Sequence, residues 1–135
     1  MSVQPVSYSQ LDPRWRYNDY SAKGEKTTIG ASGCGPSSMS MVLATWVDSN
    51  VTPATECAWA LAHNFKAPHQ GTYYGYFVPA AERYGLQCNR VNTANIYGNA
   101  NSKYHAIAKN SLDSGNLVIA CMGKCNWSRL CGYSL

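Results

Sequence analysis

Cys34 is the residue of this chain whose type and surroundings are best suited to chemistry. It lies in the segment Gly33-Cys34-Gly35-Pro36, directly before apolar residues that recur at helical spacing from Met39 to Val47. This spacing predicts a helix that begins at Cys34 or Gly35. The first turn of a helix carries unpaired N–H groups and about half a positive charge, which favour a thiolate over a thiol. Because a thiolate attacks carbonyl carbons, the pattern predicts a nucleophile.

Three further helices are predicted downstream of this one. The second begins at Thr52 as N-cap, with Pro53 in the first position, and ends near Asn64. The third passes through Phe77, Ala80, Ala81 and Tyr84 and stops at Gly85, and the fourth spans residues 103–114, with Ile107, Ala108 and Leu112 directed inward and Gly115 as its stop.

Two short strands are predicted, at residues 86–91 and 117–121, the second of them buried. The start of the chain, residues 2–29, is predicted to be extended and rich in turns, with Trp15, Tyr17 and Tyr20 as aromatic surface. A glycine and tyrosine-rich loop, residues 71–75, precedes the third helix. These elements must position the cysteine.

The other five cysteines give weaker signals. Cys57, Cys88 and Cys121 lie in apolar stretches, where cysteine usually acts as a small buried hydrophobe. Cys121, Cys125 and Cys131 are close in sequence but lack the paired spacings and the nearby histidine of a zinc site. No metal or cofactor is therefore expected, and free thiols are preferred to disulfides.

Composition limits the classes of function. The chain has 135 residues, about one domain, and its net charge of +4 comes from scattered Lys and Arg residues rather than a basic run. No nucleic-acid partner is expected. The N-terminus has no signal-peptide pattern and no apolar run is long enough to span a membrane, which predicts a soluble chain without an export signal.

The chain resembles the papain-like cysteine peptidases of the C-39-like group, relatives of the peptidases that remove double-glycine leaders from bacteriocins. The segments that carry this resemblance are Gln10-Leu11-Asp12-Pro13-Arg14-Trp15, Gly33-Cys34-Gly35-Pro36-Ser37-Ser38, Met41-Val42-Leu43, Val51-Thr52-Pro53, Gly71-Thr72, the run from Ala80 to Leu86, and the run from Gly115 to Ala120. The resemblance implies an α+β papain-like fold, with an N-terminal helical lobe and the start of an antiparallel half-barrel in residues 1–135.

The resemblance also implies two catalytic residues. Cys34 corresponds to the nucleophile, and Gln10 to the glutamine whose side-chain amide stabilises the oxyanion. The alternatives are a buried cysteine that caps the helix and a surface glutamine. The family's general base is a histidine in a Gly-His-aromatic strand, but here Tyr133 follows Gly132. A phenol does not accept the thiol proton at neutral pH as an imidazole does.

None of the three histidines lies in the family's sequence context. A solvated or hydrogen-bonded role is favoured for His63, His69 and His105, and none is assigned as the base. His69 is the least unfavourable of the three, because a loop can carry it to a cleft. The sequence therefore suggests an enzyme truncated or shifted out of frame near Lys124, and an inactive chain.

Three functions follow as hypotheses. The first is a cysteine peptidase or amidase that cleaves a peptide or amide bond through a thioester at Cys34, and the second is a lysin-type hydrolase of phage or bacteria that cleaves peptidoglycan. The third is a non-catalytic remnant that binds peptides. Aromatic residues 73–77 and Trp15 are candidates to line a cleft or to pack under loops. A disulfide-stabilised secreted domain is a further alternative.

Overall fold

The computed structural model of the protein describes residues 4–90, 103–121 and 131–134. The chain divides into two compact units, residues 1–80 and residues 81–135. The first unit holds helices α1 (Ile29–Ser32), α2 (Cys34–Trp46) and α3 (Pro53–Ala62), followed by a 3₁₀ turn at Tyr74–Tyr76. Helix α4 (Phe77–Glu82) follows in the chain and extends from the first unit into the second.

The turn-rich start of the chain is more buried than predicted. Trp15 is 3% exposed and Tyr20 is fully buried, so the prediction that both form aromatic surface is wrong, whereas Tyr17 is 75% exposed. Both buried rings find partners for their polar atoms: Trp15 Nε1 donates to the carbonyl of Ser9, and the hydroxyls of Tyr20 and Thr72 share a hydrogen bond. A satisfied polar atom lets a large aromatic ring enter the core.

Helix α1 was not predicted. It is a single turn of four residues, too short for an apolar period to appear in the sequence. Gly33 joins it to α2, and its N–H donates to the carbonyl of Ile29 at 2.8 Å. A Cβ at Gly33 would lie 2.7 Å from that same carbonyl oxygen, so the two helices meet too closely for any side chain here. This junction fixes where α2 begins.

Helices α2 and α3 pack against each other and form the core of the first unit. Met39 and Leu43 of α2 and Ala60 of α3 are fully buried. As predicted, α2 begins at Cys34 and Thr52 caps α3, where Thr52 Oγ1 accepts from the Thr55 N–H and Thr55 Oγ1 accepts from the Thr52 N–H.

Helix α3 ends at Ala62, two residues before the predicted end. The reason lies at Asn64, whose backbone is left-handed, with φ 61°, and therefore cannot continue the helix.

The second unit contains the strands. Helix α4 ends at Glu82, and the turn after it passes through Gly85 in a left-handed conformation, with φ 79°. Strands β1 (Asn89–Arg90), β2 (Val118–Cys121) and β3 (Cys131–Ser134) form an antiparallel sheet in the order β1-β3-β2. Tyr133 pairs with Arg90 on one side and with Ile119 on the other.

Three details differ from the predictions. Helix α4 ends at Glu82, although Tyr84 was predicted to belong to it. Strand β1 begins at Asn89, three residues after the predicted start at Leu86, and the predicted end at Val91 lies outside the described residues. Helix α5 (Lys103–Asp113) contacts β2 and β3, but only Ala108 of the three residues predicted to face inward is buried. Ile107 is 44% exposed and Leu112 is 53% exposed, so these two side chains do not belong to the buried face of α5.

The fold is therefore a mixed α+β fold, as the sequence predicted, and the papain-like assignment stays a prediction. Predictions that concern Lys124, Cys125 and the side chains of Cys121 and His105 lie outside the described residues. Within the described part of the chain, no helix is both long and apolar enough to cross a bilayer.

Candidate functional site

Cys34 is the first residue of α2, and its side chain is exposed. Gly33, in the N-cap position, offers no side-chain cap to the first turn, and Pro36 has no N–H to satisfy. The thiol therefore stands at the positive end of a 13-residue helix dipole, in contact with solvent. An exposed thiol in this position is accessible to an electrophile.

Cys34 lines a groove of about 790 Å³, which we call the Cys34 groove. Three chain segments form its walls: residues 24–27, residues 31–34 without Gly33, and residues 69–71. All three belong to the first unit. His69 and Cys34 therefore line the same groove, whereas Trp15 and residues 73–77, suggested above as cleft residues, are not among those that line it.

The loop that carries His69, residues 66–72, runs close to the start of α2. A Cβ at Gly35 would lie 3.4 Å from Thr72 Cβ and 3.3 Å from Phe77 Cζ, and one at Gly71 would lie 3.8 Å from the Ser32 carbonyl oxygen. Glycine at 35 thus lets the loop approach the turn of the nucleophile. The loop is also closed on itself, because the Ala67 N–H donates to the Gly71 carbonyl at 2.9 Å.

A buried ion pair anchors this loop to the wall segment of residues 24–27. Lys66 Nζ donates to Glu25 Oε1 at 2.7 Å and to the carbonyls of Ala67 and Gln70 at 2.7 and 2.6 Å. The Lys66 and Glu25 side chains are only 1% and 6% exposed. The hydrogen bond from Lys66, with further ones from the Ala22 and His69 N–H groups, lowers the pKa of Glu25 to about 2.

His69 is held by the second oxygen of the same carboxylate. Its N–H donates to Glu25 Oε2 at 2.6 Å, and its ring Nδ1 lies 4.0 Å from that oxygen. Its backbone is left-handed, with φ 58°, which is uncommon for a residue other than glycine. The imidazole itself is 76% exposed and lines the groove.

Gln10 lies outside the residues that line the groove. Its Nε2 donates to the carbonyl of Gly30, in α1, at 3.0 Å. The amide is thus bonded to the backbone four residues before Cys34 through one of its two N–H groups, and the other is not needed for this bond. The assignment of Gln10 to the oxyanion hole stays a prediction.

Two other cysteines are structural. Cys57 is 1% exposed and Cys88 is 6% exposed, as predicted. Burial, with the charge of Glu56 and of Cys34 as smaller causes, raises the pKa of Cys57 to about 12. Burial, followed by the charge of Glu82, raises the pKa of Cys88 to about 11. Among the described residues, no cluster of three or more His, Cys, Asp or Glu side chains could hold a metal ion.

The remaining histidine with a described side chain has a local role. His63 stacks on Trp59, with ring centroids 4.3 Å apart, and its Nδ1 is 2.9 Å from the Trp59 carbonyl oxygen. It does not line the Cys34 groove. The Glu25–Lys66 pair has no counterpart in the sequence analysis, because its partners lie 41 residues apart and no local pattern joins them.

Comparison with known proteins adds no identification: no family model matches the chain, and neither a curated protein nor a solved structure matches it.

Proposed function

We propose that this protein is a cysteine hydrolase that cleaves a peptide or amide bond through a thioester at Cys34. The observation that carries the proposal is the exposed thiol at the first residue of α2, in the wall of a groove of about 790 Å³. Grooves of this size suit ligands of several hundred daltons, such as a short extended peptide. The resemblance to C-39-like peptidases supports the same reaction class.

The reaction needs two chemical steps. In the first, Sγ of Cys34 attacks the carbonyl carbon, the C–N bond breaks, and the amine leaves with a proton while the acyl group stays on sulfur. In the second, water attacks the thioester carbonyl, the C–S bond breaks, and the carboxylic acid leaves while sulfur regains a proton; the acid then loses its own proton to solvent. Backbone N–H groups at the start of α2 are suitable donors for the oxyanion, with the Gln10 amide as a further candidate.

Two substrate classes share this chemistry: leader-type peptides and the peptide cross-links of peptidoglycan. Both present an amide in an extended chain, so the groove alone does not distinguish them. The two are best tested side by side, with quenched fluorescent peptides that contain a double glycine in one arm and purified peptidoglycan in the other.

The decisive experiment replaces the nucleophile. Cys34→Ala should lower turnover in the productive arm by on the order of 10³-fold or more, because the covalent route is lost. Cys88→Ala, a change at a buried thiol of the second unit, is the matched control and should keep most of the activity. Mass spectrometry should detect an acyl group on Cys34 in the wild-type protein. Turnover that is equal in the Cys34→Ala variant, or absent in both arms, would refute the proposal.

A peptide-binding protein without turnover is the second candidate. It is favoured by the sequence at residues 132–133, where Tyr133 follows Gly132 in place of the histidine that the resemblance leads us to expect. In that case calorimetry should show equal peptide affinity for the wild-type and Cys34→Ala proteins, with no cleavage by either.

A further inference from the structure

We infer that His69 is the general base for Cys34 and that Glu25 is the positioning residue that orients its imidazole. This inference rests on the proposed hydrolase function. It replaces the base expected from the resemblance, at the position of Tyr133, with a residue from a different element of the chain. All three residues of the inferred set belong to the first unit.

The first argument is shared access to one space. Cys34 and His69 both line the Cys34 groove. Cys34 belongs to the start of α2 and His69 to the 66–72 loop. The loop passes near the nucleophile: a Cβ at Gly71 would lie in van der Waals contact, 3.8 Å, with the carbonyl oxygen of Ser32, two residues before Cys34. A base must share the cavity of its nucleophile, and His69 does.

The second argument is that the loop around His69 is held in one conformation. Lys66 Nζ binds two loop carbonyls, Ala67 and Gln70, and the Tyr20 hydroxyl bonds the Thr72 hydroxyl at the end of the loop. His69 takes a left-handed backbone conformation within this frame. Backbone conformations of this kind persist where the surroundings determine them, and they are concentrated at functional sites.

The third argument is the arrangement of the Glu25 carboxylate. Its Oε1 accepts from Lys66 and from the Ala22 N–H, while its Oε2 accepts from the His69 N–H at 2.6 Å and lies 4.0 Å from His69 Nδ1. The last distance is longer than a hydrogen bond, but the charge of the carboxylate favours the proton on the nearer ring nitrogen and leaves the other, Nε2, as the acceptor. Lys66 keeps Glu25 ionised, so the carboxylate can stabilise an imidazolium.

The proton transfers balance over the cycle. His69 Nε2 accepts the Sγ proton of Cys34 as the C–S bond forms, and then gives it to the amine nitrogen as the C–N bond breaks. In the second step Nε2 takes a proton from the attacking water and returns it to sulfur as the C–S bond breaks. No oxidant, reductant or metal enters the cycle.

Several other charged or titratable groups surround this pair. Glu25 and Lys26 line the groove with it, and Lys66 is bonded to Glu25. Burial is the main cause that raises the pKa of Tyr20 and of Cys57, and the nearby charge of Cys34 raises both further, so these two groups stay neutral where a thiolate forms. Imidazole is the side chain in this set that ordinarily changes charge between pH 5 and 8.

The test compares His69→Ala with His63→Ala. Both are exposed histidines of the first unit, but His63 lies outside the groove. We expect His69→Ala to lower kcat/KM by about 10²- to 10⁴-fold, the usual contribution of a general base, with partial rescue by added imidazole. His63→Ala should stay within about twofold of the wild type, because it removes no group that takes part in proton transfer.

A second readout does not depend on hydrolysis. The rate of Cys34 alkylation by iodoacetamide is measured against pH in the wild type, His69→Ala and Glu25→Gln proteins, with circular dichroism to confirm that each is folded. The half-maximal rate should move to higher pH in His69→Ala, because the thiolate loses its imidazolium partner. Glu25→Gln should move it in the same direction by less, while Glu25→Asp should restore part of the shift.

The outcomes separate the two proposals. Hydrolysis that depends on Cys34 but is unchanged in His69→Ala, together with an unchanged alkylation profile, overturns the inference and leaves the hydrolase. No Cys34-dependent hydrolysis, with an alkylation profile that still depends on His69, refutes the hydrolase while the thiol–imidazole pair stands.

Discussion

The three described thiols of this chain differ in solvent exposure, and this difference sets their reactivity. Cys34 is exposed at a helix start, whereas Cys57 and Cys88 are buried, and burial raises their pKa to about 12 and about 11. A buried neutral thiol reacts slowly with alkylating reagents, since the thiolate is the nucleophile.

Limited iodoacetamide treatment of the native protein at pH 7.5, chosen as about one unit below the ordinary thiol pKa, should therefore modify Cys34 before Cys57 and Cys88. Peptide mapping by mass spectrometry would measure this order. In urea the difference should vanish, because the burial that causes it is lost. Modification of Cys57 in the native protein at the rate of Cys34 would contradict this account.

At the residue scale, the sequence revealed the nucleophile but not its neighbours. Cys34 could be singled out because glycine and proline mark the turn on either side of it. Glu25 and Lys66 could not, because an ion pair across 41 residues leaves no periodic trace. The burial of Tyr20 was also missed, since its partner Thr72 is 52 residues away.

Among the elements, the junction between α1 and α2 controls the position of the nucleophile. Gly33 has an ordinary backbone, with φ −90°, but a Cβ there would lie 2.7 Å from the Ile29 carbonyl oxygen and 2.9 Å from Ile29 Cγ2. The carbonyl belongs to the backbone and cannot rotate away, so a substitution must shift one helix against the other.

Gly33→Ala should therefore destabilise the protein by about 1–3 kcal/mol, the usual cost of overpacking, and lower the alkylation rate of Cys34. Gly75→Ala is the matched control, because a Cβ there meets nothing within 4 Å, and it should change stability by less than about 0.5 kcal/mol. Urea unfolding measures both. Equal stability of the two variants would show that the junction is not tight.

The helices were predicted better than the short elements. Helix α2 and the start of α3 were found from apolar spacing and a Thr-Pro cap, which are local signals. Helix α1, with four residues, is too short to carry such a signal, and the strand predicted around β1 was begun three residues too early, at Leu86. For α5 the helix itself was predicted correctly, but too many of its residues were predicted to be buried, since Ile107 and Leu112 are exposed.

On the scale of the whole molecule, the Glu25–Lys66 pair of the first unit makes the free energy of unfolding depend on pH in the acid range. The folded-state pKa of Glu25, about 2, lies below its ordinary value of 4.5, so the folded state binds this proton less readily than the unfolded chain. The stabilisation is fully present above pH 4.5 and is lost as the pH falls from 4.5 towards 2.

Glu25→Gln should remove this part of the acid sensitivity. We expect the free energy of unfolding of the variant to fall less steeply than that of the wild type between pH 4.5 and 2, although the variant is less stable at pH 7 because Lys66 loses its partner. Urea unfolding at a series of pH values measures both effects.

Asp12→Asn is the control for this series. The pKa of Asp12 is also lowered, by its hydrogen bonds to Arg14, but this pair is at the surface and should contribute little. Identical slopes in the wild type and Glu25→Gln proteins would contradict the assignment.

The class of fold could be predicted at this scale, but not the sheet. The resemblance implied a mixed α+β chain, and the structure agrees with that class. The pairing of β1 with β3, more than 40 residues later, is a long-range choice that no local pattern specifies.

The strand order has a consequence for synthesis. Strand β3 is made after β1 and β2 but lies between them, and it supplies every ladder bond that the described sheet contains. On the ribosome, the first two strands therefore emerge without each other as partners and wait, with open edges, until residues 131–134 follow. Until then each is a template for pairing with a neighbouring nascent chain, and the sheet closes only when β3 has been made.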